Sequence, residues 1–141
     1  MTTTTNTARN HWLGVLLLAG IALVHFLGIP DKLGETPYMG WMYILLVAGC
    51  AAAGAWLLSN QARAGYVLGL IISLGAIVFY VLTRTTGLPK ATGDIGNWAE
   101  PAGIVSLLLE AAFVVIASAQ LRRLAAPGTS ALDSRTADMQ R

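Results

Sequence analysis

Four apolar runs, each near the length of a bilayer crossing, take up most of this 141-residue chain. A helix needs roughly 20 predominantly apolar residues to cross the hydrocarbon layer. The runs at 12–28, 38–58, 64–83 and 100–120 come close to that length, and what lies between them is too short to fold as a soluble domain. Backbone amides find no water in lipid, so each run is expected to satisfy its own hydrogen bonds as an α-helix. The chain therefore reads as an all-α integral membrane protein, a bundle of four transmembrane helices. A side-chain composition 55% hydrophobic and only 11% charged agrees with a lipid solvent. The lipid bilayer is its first expected partner.

The punctuation between the runs sets the expected boundaries. Residues 1–11 form a polar, Thr-rich lead-in, expected to be flexible, and the membrane domain is expected over 12–121. The first run ends at Ile29-Pro30-Asp31, a sequence expected to stop a helix. That run exceeds the roughly 7 to 15 apolar residues of a secretory signal and lacks a small-residue cleavage site, so an uncleaved span is expected. The second run opens with aromatic residues suited to a membrane interface and contains a small-residue block from Gly49 to Ala55. Gly65, Gly69 and Ser73 recur every four residues in the third, a ridge that lets backbones approach. Before the fourth, Asn97 stands three residues ahead of Glu100, as in a capping box, and Pro101 suits a first helical turn. A polar tail, 122–141, is expected to lie in solvent.

Charge placement gives orientation. Arg9, Arg63, Arg122 and Arg123 flank one side of the spans, Lys32, Arg84 and Lys90 the other, so the first side is expected to be cytoplasmic, with both termini there. The loops 30–37 and 83–100 then lie outside. Nine basic against seven acidic residues form no basic surface for nucleic acid. The single cysteine, Cys50, excludes an intrachain disulfide and any multi-cysteine metal site. No zinc-protease, phosphate-loop, serine-hydrolase or di-iron motif is present.

Chemistry concentrates in a few residues. Glu110 lies nine residues past Pro101, roughly 13 Å into the membrane at 1.5 Å per residue. A carboxylate there costs about 2.5 to 3.5 kcal/mol or more, so it should face inward and be paired, hydrated or protonated. Gly103, Ser106, Glu110 and Ala117 share one helix stripe, a narrow polar seam. His25, five residues before Pro30, is expected roughly 7 Å inside the outer edge of the first span. Side chains lean toward the N-terminus of their own helix, so His25 and Glu110 on antiparallel helices converge, directly or through one water. The plainer alternatives are a His25 bonded only to a loop carbonyl near the interface and a neutral Glu110 with one interhelical hydrogen bond.

At the outer side, Arg84 sits among enough carboxylates, Asp31, Glu35, Asp94 and Glu100, to centre an ionic cluster. Trp98 and Trp41 either roof that cluster or mark the interfacial aromatic belt. His11 and His25 are roughly 21 Å apart along a helix and cannot share one haem iron within a monomer. Met39 and Met42, near the layer of His25, are soft donors suited to copper(I), or packing residues.

The segment Arg84-Thr85-Thr86-Gly87-Leu88-Pro89, with Asp94-Ile95-Gly96-Asn97-Trp98, Glu100-Pro101 and Glu110, resembles small four-span bacterial membrane proteins of unassigned function. The resemblance implies a four-helix architecture, a site at the outer face and a bacterial inner membrane, and brings no activity, ligand or cofactor with it. The leading expectation is a non-enzymatic accessory subunit or assembly partner, in a homo-oligomer or larger complex, with an outer pocket bounded by His25, Glu35, Arg84, Asp94, Glu100 and Glu110. Trp98 and Ser106 complete the candidate ligand or relay set. The alternatives are a proton-linked carrier using Glu110 and His25, and a haem- or copper-binding redox protein using His25, Met39 and Met42.

Overall fold

The computed structural model describes residues 3–126, and their side chains from residue 11 onward. Most of the tail expected at 122–141 lies outside the described residues. The fold is all-helical: α1 (Thr3–Glu35), α2 (Pro37–Leu57), α3 (Ala62–Arg84) and α4 (Pro101–Ala125). All four are long and apolar enough to cross a membrane.

Consecutive helices are antiparallel neighbours. Only Thr36 separates α1 from α2, and Pro37 supplies the preset φ of a first helical turn. Gly28 then lies against Tyr43, and at the far end Gly14 lies against Leu57. Helices α2 and α3 join through the short turn at 58–61, and α4 closes the ring by packing on both α3 and α1. Both ends of the described chain therefore sit at the end of the bundle carrying the 58–61 turn. The 85–100 loop covers the opposite end.

Small residues set how closely the helices approach. A Cβ on Gly65 would fall 2.8 Å from the Ala53 carbonyl oxygen and 2.9 Å from the Leu57 amide nitrogen of α2. One on Gly69 would fall 2.5 Å from the Phe113 ring of α4. Gly65, Gly69 and Ser73 are all buried, so the ridge faces α2 and α4 rather than lipid. Around it Leu18, Ile21, Cys50, Ala53, Leu57, Tyr66, Phe113 and Ala117 form one core drawn from all four helices, each at most 2% exposed.

Two local expectations are overturned. Pro30 does not end α1, which continues to Glu35. Pro30 is exposed, so its ring lies on the outer face of the helix, and the turn beyond it is held by packing on α2 and by an ion pair within the turn. Leu33 packs so tightly on Gly40 that a Cβ there would lie 2.5 Å from it, and Lys32 pairs with Glu35 at 3.1 Å. The capping box is absent as well. Glu100, not Asn97, is the cap residue of α4, with no side-chain capping bond, while the Asn97 amide donates to the Asp94 carbonyl in a turn. Glu100 is committed elsewhere, to Arg84. At its other end α4 continues to Ala125, past the expected span, with Arg122 and Arg123 in a last turn whose carbonyl dipoles favour cations.

Candidate functional site: a polar cavity under the 85–100 loop

The loop end of the bundle is organised by Arg84, the last residue of α3. Its guanidinium lies 3.3 Å from Asp94, pairs directly with Glu100 and stacks over the Tyr80 ring at 4.8 Å, and its own backbone carbonyl accepts the Gly96 amide at 2.9 Å. Gly96 takes a φ of +79° there, a conformation that a side chain disfavours. One residue thus fixes both the end of α3 and the return of the loop. Further ties come from Tyr38, whose hydroxyl donates to the Pro89 carbonyl at 2.8 Å, and from Tyr80, whose hydroxyl donates to the Trp98 carbonyl at 3.1 Å. Lys32 extends the network from α1, at 3.1 Å from Glu35 and 3.9 Å from Asp94.

Beneath this network lies a cavity of about 970 Å³, bounded by all four helices. Its upper part is ionic, with Asp31, Lys32, Glu35, Arg84, Asp94 and Glu100. Its sides are apolar and aromatic: Leu45, Leu46, Ile71, Ile72, Phe79, Tyr43 and Tyr80. His25, Ser106 and Glu110 are polar side chains at its end away from the loop. Exposed residues line it on every helix, with Leu27, Leu45, Ile71 and Val105 at 67%, 70%, 63% and 48%. No atom lies within 4 Å of where a Gly75 side chain would begin.

The deep group is built by helix geometry. Ser106 and Glu110 are one turn apart on α4, and the Ser106 hydroxyl donates to Glu110 Oε1 at 2.7 Å. From α1, His25 Nε2 approaches the same oxygen to 3.8 Å, so the two side chains expected to converge are neighbours but not hydrogen-bonded. The other ring nitrogen, Nδ1, is 2.9 Å from the Ile21 carbonyl in its own helix. The carbonyl that bonds His25 is thus in its own helix, one turn back, and not in a loop. Tyr43 packs edge-on against the ring at a centroid distance of 4.8 Å, orienting it further. Glu110 is 2% exposed, and Ser106 is its hydrogen-bond partner among the described residues. On the other side of Glu110, the tight Phe113, Tyr66 and Leu18 core closes the bundle.

The structure brings His25, Glu35, Arg84, Asp94, Glu100, Ser106 and Glu110 onto one cavity. Trp98 stands at its edge, 48% exposed and T-shaped against Tyr80, whereas Trp41 is 61% exposed and takes no part. Met39 and Met42 line the same cavity as His25, while His11 packs against Tyr66 in the other half. Among the described residues no three His, Cys, Asp or Glu side chains are grouped to hold a metal ion. Sequence reasoning missed Lys32 as a member of the ionic network, although its spacing to Glu35 signals a helical pair. It also missed Tyr43 and Tyr80, whose aromatic rings position His25 and Arg84.

No protein-family model matches the chain, and no curated protein or solved structure matches it either.

Proposed function

We propose that this chain is a non-enzymatic, multi-pass membrane subunit that holds a small ligand in the cavity at its loop end, as an accessory part of a larger membrane complex. The observation carrying the reading is a recess of about 970 Å³ with convergent polar groups deep inside it and a packed core beyond them. That volume lies in the range of small-molecule sites, and apolar walls around a few placed polar groups are their usual composition. A recess closed at one end retains a ligand without conducting it. The bias of Arg63, Arg122 and Arg123 supports termini in the cytoplasm and a cavity open to the outer face of a bacterial inner membrane. The likeness of the 84–110 pattern to small four-span bacterial proteins supports the same placement.

Mass measurement of the gently detergent-extracted protein tests the accessory role. The expected result is a homo-oligomer or a complex with other subunits; a stable, fully helical monomer would overturn it. A second reading, a proton-linked carrier, is favoured by the adjacency of His25 and Glu110. It requires the packed core to open on the opposite side, and Glu110→Gln would then abolish flux while expression and helical content stay intact.

A further inference from the structure

We propose that residues 88–95 form a flap over the loop end of the cavity, hinged at Gly87 and Gly96 and latched by Asp94, whose release sets how fast a water-soluble molecule reaches the polar group around Glu110. The inference rests on the reading of the cavity as a ligand site and adds how access to it is controlled.

The flap is a unit of its own. The Ala91 amide donates to the Leu88 carbonyl at 2.8 Å, the Leu88 amide donates back at 3.4 Å, and the Ile95 amide donates to the Thr92 carbonyl at 3.2 Å. The segment also closes on its own start: a Cβ on Gly87 would fall 2.9 Å from Ile95 Cδ1 and 3.3 Å from Thr92 Cγ2. Bonds to the helical backbone come only at the two glycines that bound it, the Gly87 amide donating to the Leu82 carbonyl and the Gly96 amide to the Arg84 carbonyl, each at 2.9 Å. Gly87 and Gly96 take φ of +73° and +79°, where glycine moves freely and a side chain does not. Hinges are a few loop positions of this kind, which absorb a change of direction while the segment between them keeps its shape.

Among the described residues, three polar contacts tie 88–95 to the helices. The Tyr38 hydroxyl of α2 donates to the Pro89 carbonyl at 2.8 Å, and Asp94 lies 3.3 Å from Arg84 of α3 and 3.9 Å from Lys32 of α1. Asp94 is also the one flap residue that lines the cavity. Its side chain is 29% exposed, so water screens both pairs and keeps the latch weak enough to release. Release strands no buried cation, because Lys32 keeps Glu35 and Arg84 keeps Glu100, and neither of these partners belongs to the flap. The exposed apolar walls of the cavity face lipid when the helices span a membrane, and lipid bars a charged molecule. The way in from water therefore runs past the flap.

Two rates measured on the full chain in membrane vesicles test the flap. Labelling of Ser106→Cys by a charged, membrane-impermeant thiol reagent from the loop side, in a Cys50→Ala background, reads access to the cavity. Trypsin cleavage after Lys90, an exposed residue of the flap, reads release of the flap itself. Asp94→Asn should raise both rates by about three- to tenfold, the scale of one or two partly exposed ion pairs. Helical content should be retained, and Ala117→Cys in the closed core should stay unreactive. Tyr38→Phe, which removes the third tie, should raise both rates by about twofold or more. Faster cleavage with unchanged labelling would overturn the proposal by showing a loop that moves and gates nothing. Equal acceleration at Ala117→Cys would overturn it too, as loosening of the whole bundle. Ser106→Cys that labels readily at one rate with and without Asp94 would remove the flap and keep the cavity, whereas labelling in no variant would remove both.

Discussion

The same four helices behave as two different materials along their length. In the half nearer the 58–61 turn, Gly65 lies against the main chain of α2 and Gly69 against Phe113, and the centre is filled by Leu18, Leu57, Tyr66, Phe113 and Ala117. In the half under the 85–100 loop, Gly28, Gly40 and Gly103 pack as closely, against Tyr43, Leu33 and Tyr80, but the interior holds a cavity lined by ionisable groups. Glycine spacing alone does not distinguish the two. What differs is the filling: large apolar side chains meet at the centre of one half, and the centre of the other is a cavity bridged overhead by the loop and its Arg84 network. The filled half supplies the base, and the hollow half supplies the site.

Substitutions break or sharpen that contrast, beginning with the largest effect. Gly65→Val should destabilise by about 3 kcal/mol, because its Cβ meets the backbone of Ala53 and Leu57, which cannot rotate away. Thermal unfolding in detergent measures it, and a Tm equal to that of the parent would remove the claim of backbone contact. Next is Arg84→Gln, expected to cost about 1 to 3 kcal/mol. The low end applies because Asp94 and Glu100 retain 29% and 41% exposure and stay hydrated without their partner. Arg84→Lys should recover only part of that loss, since an ammonium cannot fork between two carboxylates and stack on Tyr80 at once. Limited proteolysis of the 85–100 loop, slow in the parent and fast in Arg84→Gln, reads the same contacts locally.

Smaller still, Ser106→Ala removes the hydroxyl donated to Glu110 and should lower stability by about 1 kcal/mol. Gly75→Ala is the sharpest control. It should be neutral or stabilise by up to about 1 kcal/mol, because alanine is the better helix former and nothing stands within 4 Å of the new methyl. Equal destabilisation by Gly65→Val and Gly75→Ala would show that contact at the glycine does not set the cost.

Much of the site was legible from spacing. Ser106 and Glu110 share a face because four residues make about one turn, and the depth of His25 and Glu110 follows from rise per residue. The carboxylates near Arg84 were legible as a charge cluster. Where the sequence misled, tertiary contacts outweighed local preference. Pro30 signals a helix end, but Leu33 packed on Gly40 holds another turn beyond it. Asn97 and Glu100 have capping-box spacing, but Arg84 draws the Glu100 carboxylate away from the helix start. The cavity was legible only as a boundary of polar residues, because open space depends on how far the four helices separate at that end, which no residue pattern in one helix states.

The central claim is that the polar group around Glu110 is reached from the loop end and sealed from the other. Reaction of single cysteines with a charged, membrane-impermeant thiol reagent, in a Cys50→Ala background and with each side exposed in turn, tests it most directly. Ser106→Cys should react from the loop side alone, and Ala117→Cys, in the closed core of the same helix, from neither. A folded Ser106→Cys variant that stays unreactive from the loop side, or an Ala117→Cys variant that reacts as fast, would contradict the account.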